Sequence, residues 1–239
     1  MSEQTIALVT GANKGIGYEI AAGLGVLGMT VGVGARDPRR GEEAVEKLRA
    51  NGADAFFVPL DVTDDESVAS AASLVEERFG RLDVLVNNAG IAGQWPTAPS
   101  AATAEILWKV LNTNVIGVVR VTNAMLPLLR RSARPRIVNQ SSHLSSLTLQ
   151  TSPEVDFVDV DGVYTPSKTF LNAVTVQYAK ELTDIKVNCV CPGYVATDFN
   201  EFQGHETPAS GAKVAIRLAT LPDDGPTGGL FDEAGTVPW

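Results

Sequence analysis

Short apolar runs alternate along the chain with longer segments in which apolar residues recur every three or four positions. The runs predict buried β-strands, and the periodic segments predict helices. Strands are expected at 5–9, 30–35, 55–60, 82–86, 136–140, 186–190 and 230–231. Helices are expected at 18–27, 38–50, 63–79, 101–129 and 166–182, with a shorter one that opens at 207–208. This alternation predicts an α/β fold with a parallel sheet of about seven strands and helices on both faces.

Local signals mark the ends of several predicted helices. Asp37, which precedes a proline, is typical of an N-cap, and Thr63 with Glu66 resembles a capping box. Gly28 is expected just past the end of the first helix, where a left-handed residue is common. Inside the long fourth helix, Asn114 is disfavoured unless its side chain has a partner, which predicts a kink or a buried polar role there.

A glycine-rich turn joins the first strand to the first helix. Gly11, Gly15 and Gly17 give the spacing that lets a backbone turn tightly, approach a pyrophosphate closely and pack the helix against the strand. The helix N-terminus then offers free amides and a positive dipole to phosphate groups. Any tight turn can use glycine, but the position after the first strand favours a dinucleotide site.

Tyr164 and Lys168 are four residues apart, with Pro166 between them. Proline is tolerated in the first turn of a helix, so a helix is expected to begin here. Positions i and i+4 share a face, which places the lysine ammonium beside the phenol. A nearby cation favours the phenolate, so the tyrosine is expected to exchange a proton near neutral pH. The same spacing also fits an ordinary surface pair on an amphipathic helix.

Chemically unusual stretches follow the predicted strands. Besides the glycine turn, Asn87-Asn88 comes after the fourth strand, Ser142 after the fifth and Pro192-Gly193 after the sixth. The carboxyl ends of parallel strands meet at one rim of a doubly wound sheet, which is where such folds bind ligands. We therefore expect these stretches to converge on one site.

Composition and charge restrict the partners. The 239 residues are 44% hydrophobic and 20% charged, with a net charge of −9. An acidic chain is a poor ligand for nucleic acid or an anionic membrane, so neither is expected as a partner. The N-terminus lacks the basic and long apolar regions of a secretory leader, and Cys189 and Cys191 are too few for a zinc site. We expect reduced core cysteines, no metal and a cytoplasmic location.

Taken together, the motifs resemble those of the short-chain dehydrogenase/reductase family over essentially the whole chain. They are the glycine turn after Thr10, Asn87-Asn-Ala-Gly90, Asn114, Ser142, Tyr164-x-x-x-Lys168 and Pro192-Gly193-x-Val195-x-Thr197. Asn13-Lys14 and Ala35-Arg36-Asp37 resemble the carbonyl-reductase branch. The resemblance implies a single doubly wound (Rossmann) domain over residues 1–239.

The resemblance also implies catalytic roles. Tyr164 would be the general acid in carbonyl reduction, or the base in the reverse reaction, and Lys168 would lower its pKa and bind the nicotinamide ribose. Ser142, rather than Ser141, would polarise the carbonyl. Asn114 would anchor a water that links Lys168 to solvent. The predicted activity is therefore hydride transfer between NADP(H) and a small ketone, aldehyde or alcohol.

The expected cofactor residues fall into groups along the dinucleotide. The adenosine half would be held by Gly11, Asn13, Lys14, Gly15, Ile16, Gly17 and Arg36. The adenine and its ribose would be lined by Asp61, Val62, Asn88, Ala89 and Gly90. Val195 and Thr197 would meet the carboxamide and phosphates. The other expected cofactor residues are Tyr164, Lys168, Pro192 and Gly193. Arg36 and Lys14 favour NADP(H), because cations suit its 2′-phosphate. Asp37 would oppose this preference if it turned toward the ribose.

One departure from the family is that Ser142 and Tyr164 lie 22 positions apart, a longer spacing than in most members and a shorter one than in the carbonyl-reductase branch. Residues 150–162 are acidic and rich in turn formers, which predicts a mobile loop beside the site. Substrate loops are expected at about 92–100, 143–162 and 196–210.

Several aromatic and histidine side chains are further candidates. Trp95, Tyr194, Phe199 and Phe202 fit pocket walls or ordinary packing equally well. His143 and His205 are weaker candidates, because Ser142-His143 lacks the glycines of a hydrolase elbow. A low-turnover NADP(H)-binding sensor or scaffold is the competing functional hypothesis, and a homo-oligomer is compatible with either. Substrate identity is not legible from the sequence.

Overall fold

The computed structural model describes residues 4–155 and 160–239. Its strands are β1 Ile6–Thr10, β2 Thr30–Ala35, β3 Asp54–Pro59, β4 Val84–Asn87, β5 Arg136–Gln140, β6 Lys186–Val190, β7 Leu230–Phe231 and β8 Thr236–Val237. Its helices are α1 Gly15–Val26, α2 Pro38–Ala50, α3 Asp65–Phe79, α4 Ala104–Leu111, α5 Gly117–Leu129, α6 Leu147–Gln150, α7 Tyr164–Glu181 and α8 Pro208–Ala219.

Within the described residues, the strands form one sheet in the order β3-β2-β1-β4-β5-β6-β7-β8. The order reverses direction between β1 and β4, so the carboxyl ends of these strands flank a topological switch point. All neighbouring strands pair in parallel except β7 and β8, which pair antiparallel. The predicted doubly wound α/β fold is confirmed. The two-residue β8 was not predicted, since so short a segment has no hydrophobic periodicity to detect.

Two apolar layers cover the sheet, one on each face. Helices α1, α2 and α8 pack on one face against residues such as Val9, Val33 and Val138. Helices α3, α5 and α7 pack on the other face against Leu8, Leu85 and other alternate strand residues. Strands buried on both faces leave only their carboxyl rim free to hold a ligand. The free thiols of Cys189 and Cys191 lie in a small buried cluster beside β7 and β8.

Helix ends follow the sequence signals with one exception. The Asp37 carboxylate caps α2 by accepting from the Arg40 amide at 3.1 Å, and Gly28 adopts the expected left-handed conformation with φ +83°. The predicted capping box at Thr63 is wrong. Its hydroxyl donates to the Asp61 carboxylate at 2.7 Å, and Asp64 instead caps α3. The neighbouring carboxylate competes for the threonine hydroxyl and leaves the cap position to the next residue.

The predicted helix at 101–129 contains a local widening. The chain passes from α4 through a π-helical turn, Asn112–Ile116, into α5. Asn114 lies inside this turn and is fully buried. A π turn is frequent at functional sites, and here it gives the asparagine the buried polar role that its place in a helix predicts.

The segment between Ser142 and Tyr164 is more ordered at its two ends than a free loop. It contains α6, and the Trp239 carbonyl accepts from the Thr148 amide at 2.9 Å. At its far end, the Gly162 amide donates to the Thr97 carbonyl at 2.8 Å. The prediction of a mobile loop at 150–162 concerns in part residues 156–159, which lie outside the described residues.

No helix in the described ranges combines the length and apolar character that a membrane crossing requires. In the same ranges, no three His, Cys, Asp or Glu side chains come together as a metal site would need.

Candidate active site

A cleft of about 930 Å³ opens at the carboxyl rim of the sheet. A volume of this size is in the range of small-molecule and cofactor sites. The cleft brings together almost every predicted site residue: Gly11, Asn13, Lys14, Gly15, Ile16, Gly17, Arg36, Asp61, Val62, Asn88, Ala89, Gly90, Ser142, Tyr164, Lys168, Pro192, Gly193, Val195 and Thr197. Asn114 alone of the predicted set lies behind the wall rather than on it.

Three glycines of the turn after β1 line the cleft and present backbone without a side chain at their positions. A Cβ at Gly17 would lie 2.4 Å from the side-chain nitrogen of Asn88, and one at Gly11 would lie 3.0 Å from the Ala89 Cα atom. Gly11 and Gly15 also have φ of +64° and +58°, which glycine adopts without strain. No side chain caps the N-terminus of the twelve-residue α1. Its first amides are therefore available to a phosphate group, so the turn fits a dinucleotide.

Positive charge is concentrated at the far end of this turn. Arg36 lines the cleft. The Asp61 pKa lies below its ordinary value: burial raises it, but hydrogen bonds from Thr63 and the charge of Arg36 together lower it by more. Lys14 forms an ion pair with Asp198 across the cleft mouth. Burial and the nearby charge of Arg40 lower the Lys14 pKa. Arg36 and Lys14 therefore both line the cleft, and Arg40 lies close to Lys14.

Asp37 does not oppose these cations at the ribose position. Its carboxylate is engaged at the start of α2, where it caps the helix and contacts the Arg40 side chain. Arg40 itself was not predicted as a site residue. It lies in the first turn of α2, and only the folding of the chain brings it to the groove that Lys14 also lines.

Tyr164 stands at the opposite end of the cleft, as the first residue of α7. Its ring is contacted edge-on by Trp95, with centroids 5.5 Å apart, and by Phe199, with centroids 5.4 Å apart. The surrounding protein displaces water from the phenol and raises the Tyr164 pKa well above its ordinary value, although a hydrogen bond with Ser142 lowers it in part. The phenol is therefore held in its protonated form at neutral pH.

The two serines after β5 have different environments. The Ser141 hydroxyl is buried and donates to the Asn172 side chain at 2.7 Å. The Ser142 hydroxyl is close enough to the Tyr164 phenol to lower its pKa, and it accepts from the Leu144 amide at 3.2 Å. Ser142 is thus the serine that presents its hydroxyl next to the tyrosine, while Ser141 ties β5 to α7.

Lys168 is buried below the tyrosine, one turn along α7. Its Nζ atom lies 5.7 Å from the Tyr164 ring centre and donates to the Gln140 carbonyl at 2.6 Å. Burial lowers the Lys168 pKa to about 8. The expectation that Lys168 would lower the Tyr164 pKa toward neutral pH is wrong, because the Tyr164 pKa is raised. Both groups are desolvated, and desolvation favours the neutral form of each.

Asn114 joins the cleft wall to α7. Its side-chain oxygen accepts from the Ile91 amide at 2.9 Å, and its side-chain nitrogen donates to the Ile91 carbonyl at 2.9 Å and to the Ser167 hydroxyl at 3.0 Å. A Cβ at Gly90 would lie 3.3 Å from the Asn114 oxygen and 3.5 Å from Lys168 Nζ. The absent side chain at Gly90 leaves a gap between the asparagine and the lysine.

Asp161 fixes the start of the tyrosine-bearing helix. Its buried carboxylate accepts from the amides of Thr97 at 3.1 Å, Val163 at 3.3 Å and Thr165 at 2.8 Å. One acceptor group thereby connects the loop that carries Trp95 to the first turn of α7. Asp161 was not predicted as a site residue, because its contact with the Thr97 amide joins segments 64 positions apart.

The remaining candidates divide between the cleft and the surface. Trp95, Tyr194 and Phe199 line the cleft, whereas Phe202 lines a neighbouring groove next to Lys14. His143 does not line the cleft and pairs with Asp232 at 2.8 Å. His205 packs against the Tyr194 ring.

A family model described as short chain dehydrogenase matches residues 5–207. The chain belongs to the short-chain dehydrogenase family. Salutaridine reductase from Papaver bracteatum is 37% identical, and the match covers 97% of this chain and 95% of that protein. Carbonyl reductase [NADPH] 1 from Bos taurus is 32% identical, with 100% and 99% covered. The salutaridine reductase alignment spans 296 positions, more than the 239 residues here, so that relative carries residues that this chain lacks.

Solved structures of short-chain dehydrogenases have the same architecture. The salutaridine reductase of Papaver somniferum gives a TM-score of 0.85 at 34% identity, with 96% of this chain and all of that chain covered. An NADPH-bound carbonyl reductase from chicken fatty liver gives 0.86 at 28% identity, with 99% and 100% covered. The resemblance to the carbonyl-reductase branch is thereby confirmed.

Proposed function

We propose that this short-chain dehydrogenase is an NADPH-dependent oxidoreductase that interconverts a ketone or aldehyde with an alcohol. The observation that carries the proposal is that Ser142, Tyr164 and Lys168 line the same cleft, with Lys168 Nζ 5.7 Å from the Tyr164 ring centre and a glycine cradle at the other end. Relatives named as carbonyl reductase and salutaridine reductase support it.

The cofactor would lie along the cleft from the glycine turn to Tyr164. The amides at the start of α1 would bind the pyrophosphate, and Asp61, Val62, Asn88, Ala89 and Gly90 would surround the adenosine. When bound, NADPH supplies the hydride for the carbonyl carbon. Lys168 would bind the nicotinamide ribose. Pro192, Gly193, Val195 and Thr197 would enclose the nicotinamide from the loop after β6.

The carbonyl oxygen of the substrate would bind between the Ser142 and Tyr164 hydroxyls. Donors already aligned toward this oxygen stabilise the negative charge that develops on it during reduction. Tyr164 then delivers its proton to the oxygen. Its raised pKa keeps that proton in place before the reaction, which suits a general acid. In the reverse direction, the phenolate has to form first, so alcohol oxidation should increase with pH.

Lys168 and Asn114 would return the proton to the tyrosine. With a pKa of about 8, the lysine changes protonation close to physiological pH and is suited to pass a proton. The gap at Gly90 between Lys168 and Asn114 is a place for the bridging water that the asparagine would hold. Its side-chain oxygen accepts one protein hydrogen bond and retains a second lone pair.

Cofactor preference follows from the charges at the adenosine end. Arg36 and Lys14 would bind the 2′-phosphate, and Arg40 adds a third cation beside Lys14. Asp37, the carboxylate that would repel this phosphate, is occupied at the α2 cap. At about 1.5–3 kcal/mol for each charge-assisted hydrogen bond, two contacts supply a preference of about a hundredfold or more for NADP(H).

The substrate end of the cleft is bounded by aromatic side chains. Trp95 and Phe199 lie on either side of the catalytic tyrosine, and Tyr194 stands on the loop after β6. A flat or cyclic apolar substrate body would contact these rings. We assign selectivity to the segments at about 92–100, 143–162 and 196–210. We further propose that residues 1–239 form a single domain that acts in the cytoplasm without nucleic acid or membrane, alone or as a homo-oligomer.

The direct test is NADPH oxidation by the purified protein with a panel of cyclic and open-chain ketones and aldehydes. We expect turnover on at least one class, together with Kd values that favour NADPH over NADH. Tight NADPH binding without turnover on any compound would instead favour a cofactor sensor or scaffold of the same fold.

A further inference from the structure

Gln140 is a buried residue whose side chain lacks partners. It is the last residue of β5 and is 7% exposed. Within the part of the chain that the structure describes, neither its side-chain nitrogen nor its side-chain oxygen has a hydrogen-bond partner. Buried amides are rarely left unsatisfied, because each group has lost water without gaining a replacement. Gln140 is also one of the residues that line the cleft.

The position of Gln140 places it at the catalytic end of the cleft. Its backbone carbonyl accepts from Lys168 Nζ at 2.6 Å, and Ser142 follows it by two residues. In the sheet it pairs with Val190, which leads directly into the loop that carries Pro192. Gln140 is therefore close along the chain and in the sheet to the groups that would hold the nicotinamide.

The chemistry of the unsatisfied amide selects its partner. One atom donates and the adjacent atom accepts, so the best complement is a group that also donates and accepts from neighbouring atoms. Phosphates only accept. A primary carboxamide meets both requirements, and NADP(H) carries one on the nicotinamide ring.

We propose that Gln140 is a cofactor-binding residue whose side-chain amide hydrogen-bonds the nicotinamide carboxamide. This inference rests on the proposed function for the location of the nicotinamide. It adds Gln140, on the β5 side, to the residues assigned to the nicotinamide end on the loop after β6. The sequence contained a usable signal, namely a polar residue at the buried end of an apolar strand.

The test compares wild type with Gln140→Met, a variant of similar length and flexibility without hydrogen-bonding groups. Kd is measured for NADP⁺ and for adenosine 2′,5′-bisphosphate, which lacks the nicotinamide. The expected result is about tenfold weaker binding of NADP⁺, the effect of one or two lost hydrogen bonds, with unchanged binding of the fragment. The exposed Gln177→Met variant on α7 serves as the matched control and should bind both ligands as wild type does.

A second readout separates ligand binding from a structural role. Without cofactor, Gln140→Met should have the same Tm as wild type or a higher one, because an unsatisfied buried amide is removed. A role in the fold would lower it. With the 3-acetylpyridine analogue of NADP⁺, which has no carboxamide N–H donor, wild type and Gln140→Met should differ less than they do with NADP⁺.

Equal NADP⁺ affinity of wild type and Gln140→Met, or equal loss for NADP⁺ and the fragment, would overturn the inference and leave the proposed function intact. Absence of any NADP(H) binding to wild type would overturn both. Normal NADP⁺ binding that depends on Gln140, without turnover on any carbonyl compound, would overturn the proposed function while supporting this inference.

Discussion

The Nζ atom of Lys168 lies 5.7 Å from the centre of the Tyr164 ring. Burial raises the pKa of Tyr164 and lowers the pKa of Lys168, so it favours the neutral form of each group. The phenol keeps its proton more firmly than a tyrosine in water, and the ammonium releases its proton more readily than a lysine in water. These shifts favour a protonated phenol and a lysine that exchanges its proton close to physiological pH, as the proposed roles of the two residues require.

The buried ammonium has a consequence for stability that can be measured. Between about pH 8 and pH 10.5 the unfolded chain keeps a proton on Lys168 that the folded chain has lost, so this group makes folding more favourable as pH rises. At pH 7 the folded protein buries the charged form at a cost. We predict that Lys168→Met raises the free energy of unfolding at pH 7, by up to about 3 kcal/mol.

The measurement is urea unfolding of both proteins at pH 7 and pH 10. The gain from Lys168→Met should shrink between these values, while activity is lost at both. Lys180→Met, an exposed position on the same helix, should show no comparable pH-dependent gain. If Lys168→Met were less stable than wild type by the same amount at both pH values, burial of the charged lysine would not destabilise the folded protein at pH 7.

Asp161 offers a test of how the tyrosine is positioned. Asp161→Ala leaves the buried amides of Thr97 and Thr165 without their acceptor. We predict that unfolding becomes easier by about 2–4 kcal/mol and that kcat/KM falls, while the affinity for adenosine 2′,5′-bisphosphate is retained. Asp161→Asn keeps one acceptor oxygen, so its stability and its kcat/KM should lie between those of wild type and Asp161→Ala. The exposed Asp184→Ala serves as the control, and an equal loss there would remove Asp161 from this role.

Cofactor preference tests the cationic end of the cleft. We predict that wild type favours NADPH over NADH by about a hundredfold in kcat/KM and that Arg36→Ala reduces this ratio at least tenfold, chiefly by weakening NADPH. Arg39→Ala is a close control, because Arg39 is exposed and pairs with Glu43 outside the cleft. An unchanged ratio in the Arg36 variant would refute the assignment of this arginine to the 2′-phosphate.

Lys14 is paired with Asp198, and this ion pair would compete with the 2′-phosphate that we propose Lys14 binds. Both side chains are about half exposed, and such pairs are worth about 0.2–1 kcal/mol. Asp198→Asn keeps the shape and frees the lysine, so NADPH should bind about twofold to fivefold more tightly at low salt, with NADH much less affected. Weaker NADPH binding to this variant would show that Asp198 supports the site instead.

The sequence was most informative where the chemistry is local. The glycine turn after β1 and the Tyr164-Lys168 spacing each place their own groups through a few consecutive residues, and strand alternation then brings them to one rim. Two-residue β8 and four-residue α6 were not predicted, because they are too short to show a period.

The parts that sequence reasoning missed depend on contacts between distant segments. Asp161 reaches Thr97, and Lys14 reaches Asp198, only after the chain has folded. The Tyr164 pKa was misjudged for the same reason, since the amount of water that the fold removes from the phenol is not written in its neighbours along the chain.

We propose that Tyr164 donates the proton in NADPH-dependent carbonyl reduction. The decisive measurement is single-turnover NADPH oxidation by Tyr164→Phe. With a carbonyl substrate of the wild-type enzyme, we predict a rate at least about a hundredfold lower, the range for loss of a general acid. The Kd for NADPH should change by no more than about twofold, because only a hydroxyl is removed. A near-normal rate in this variant would contradict the account.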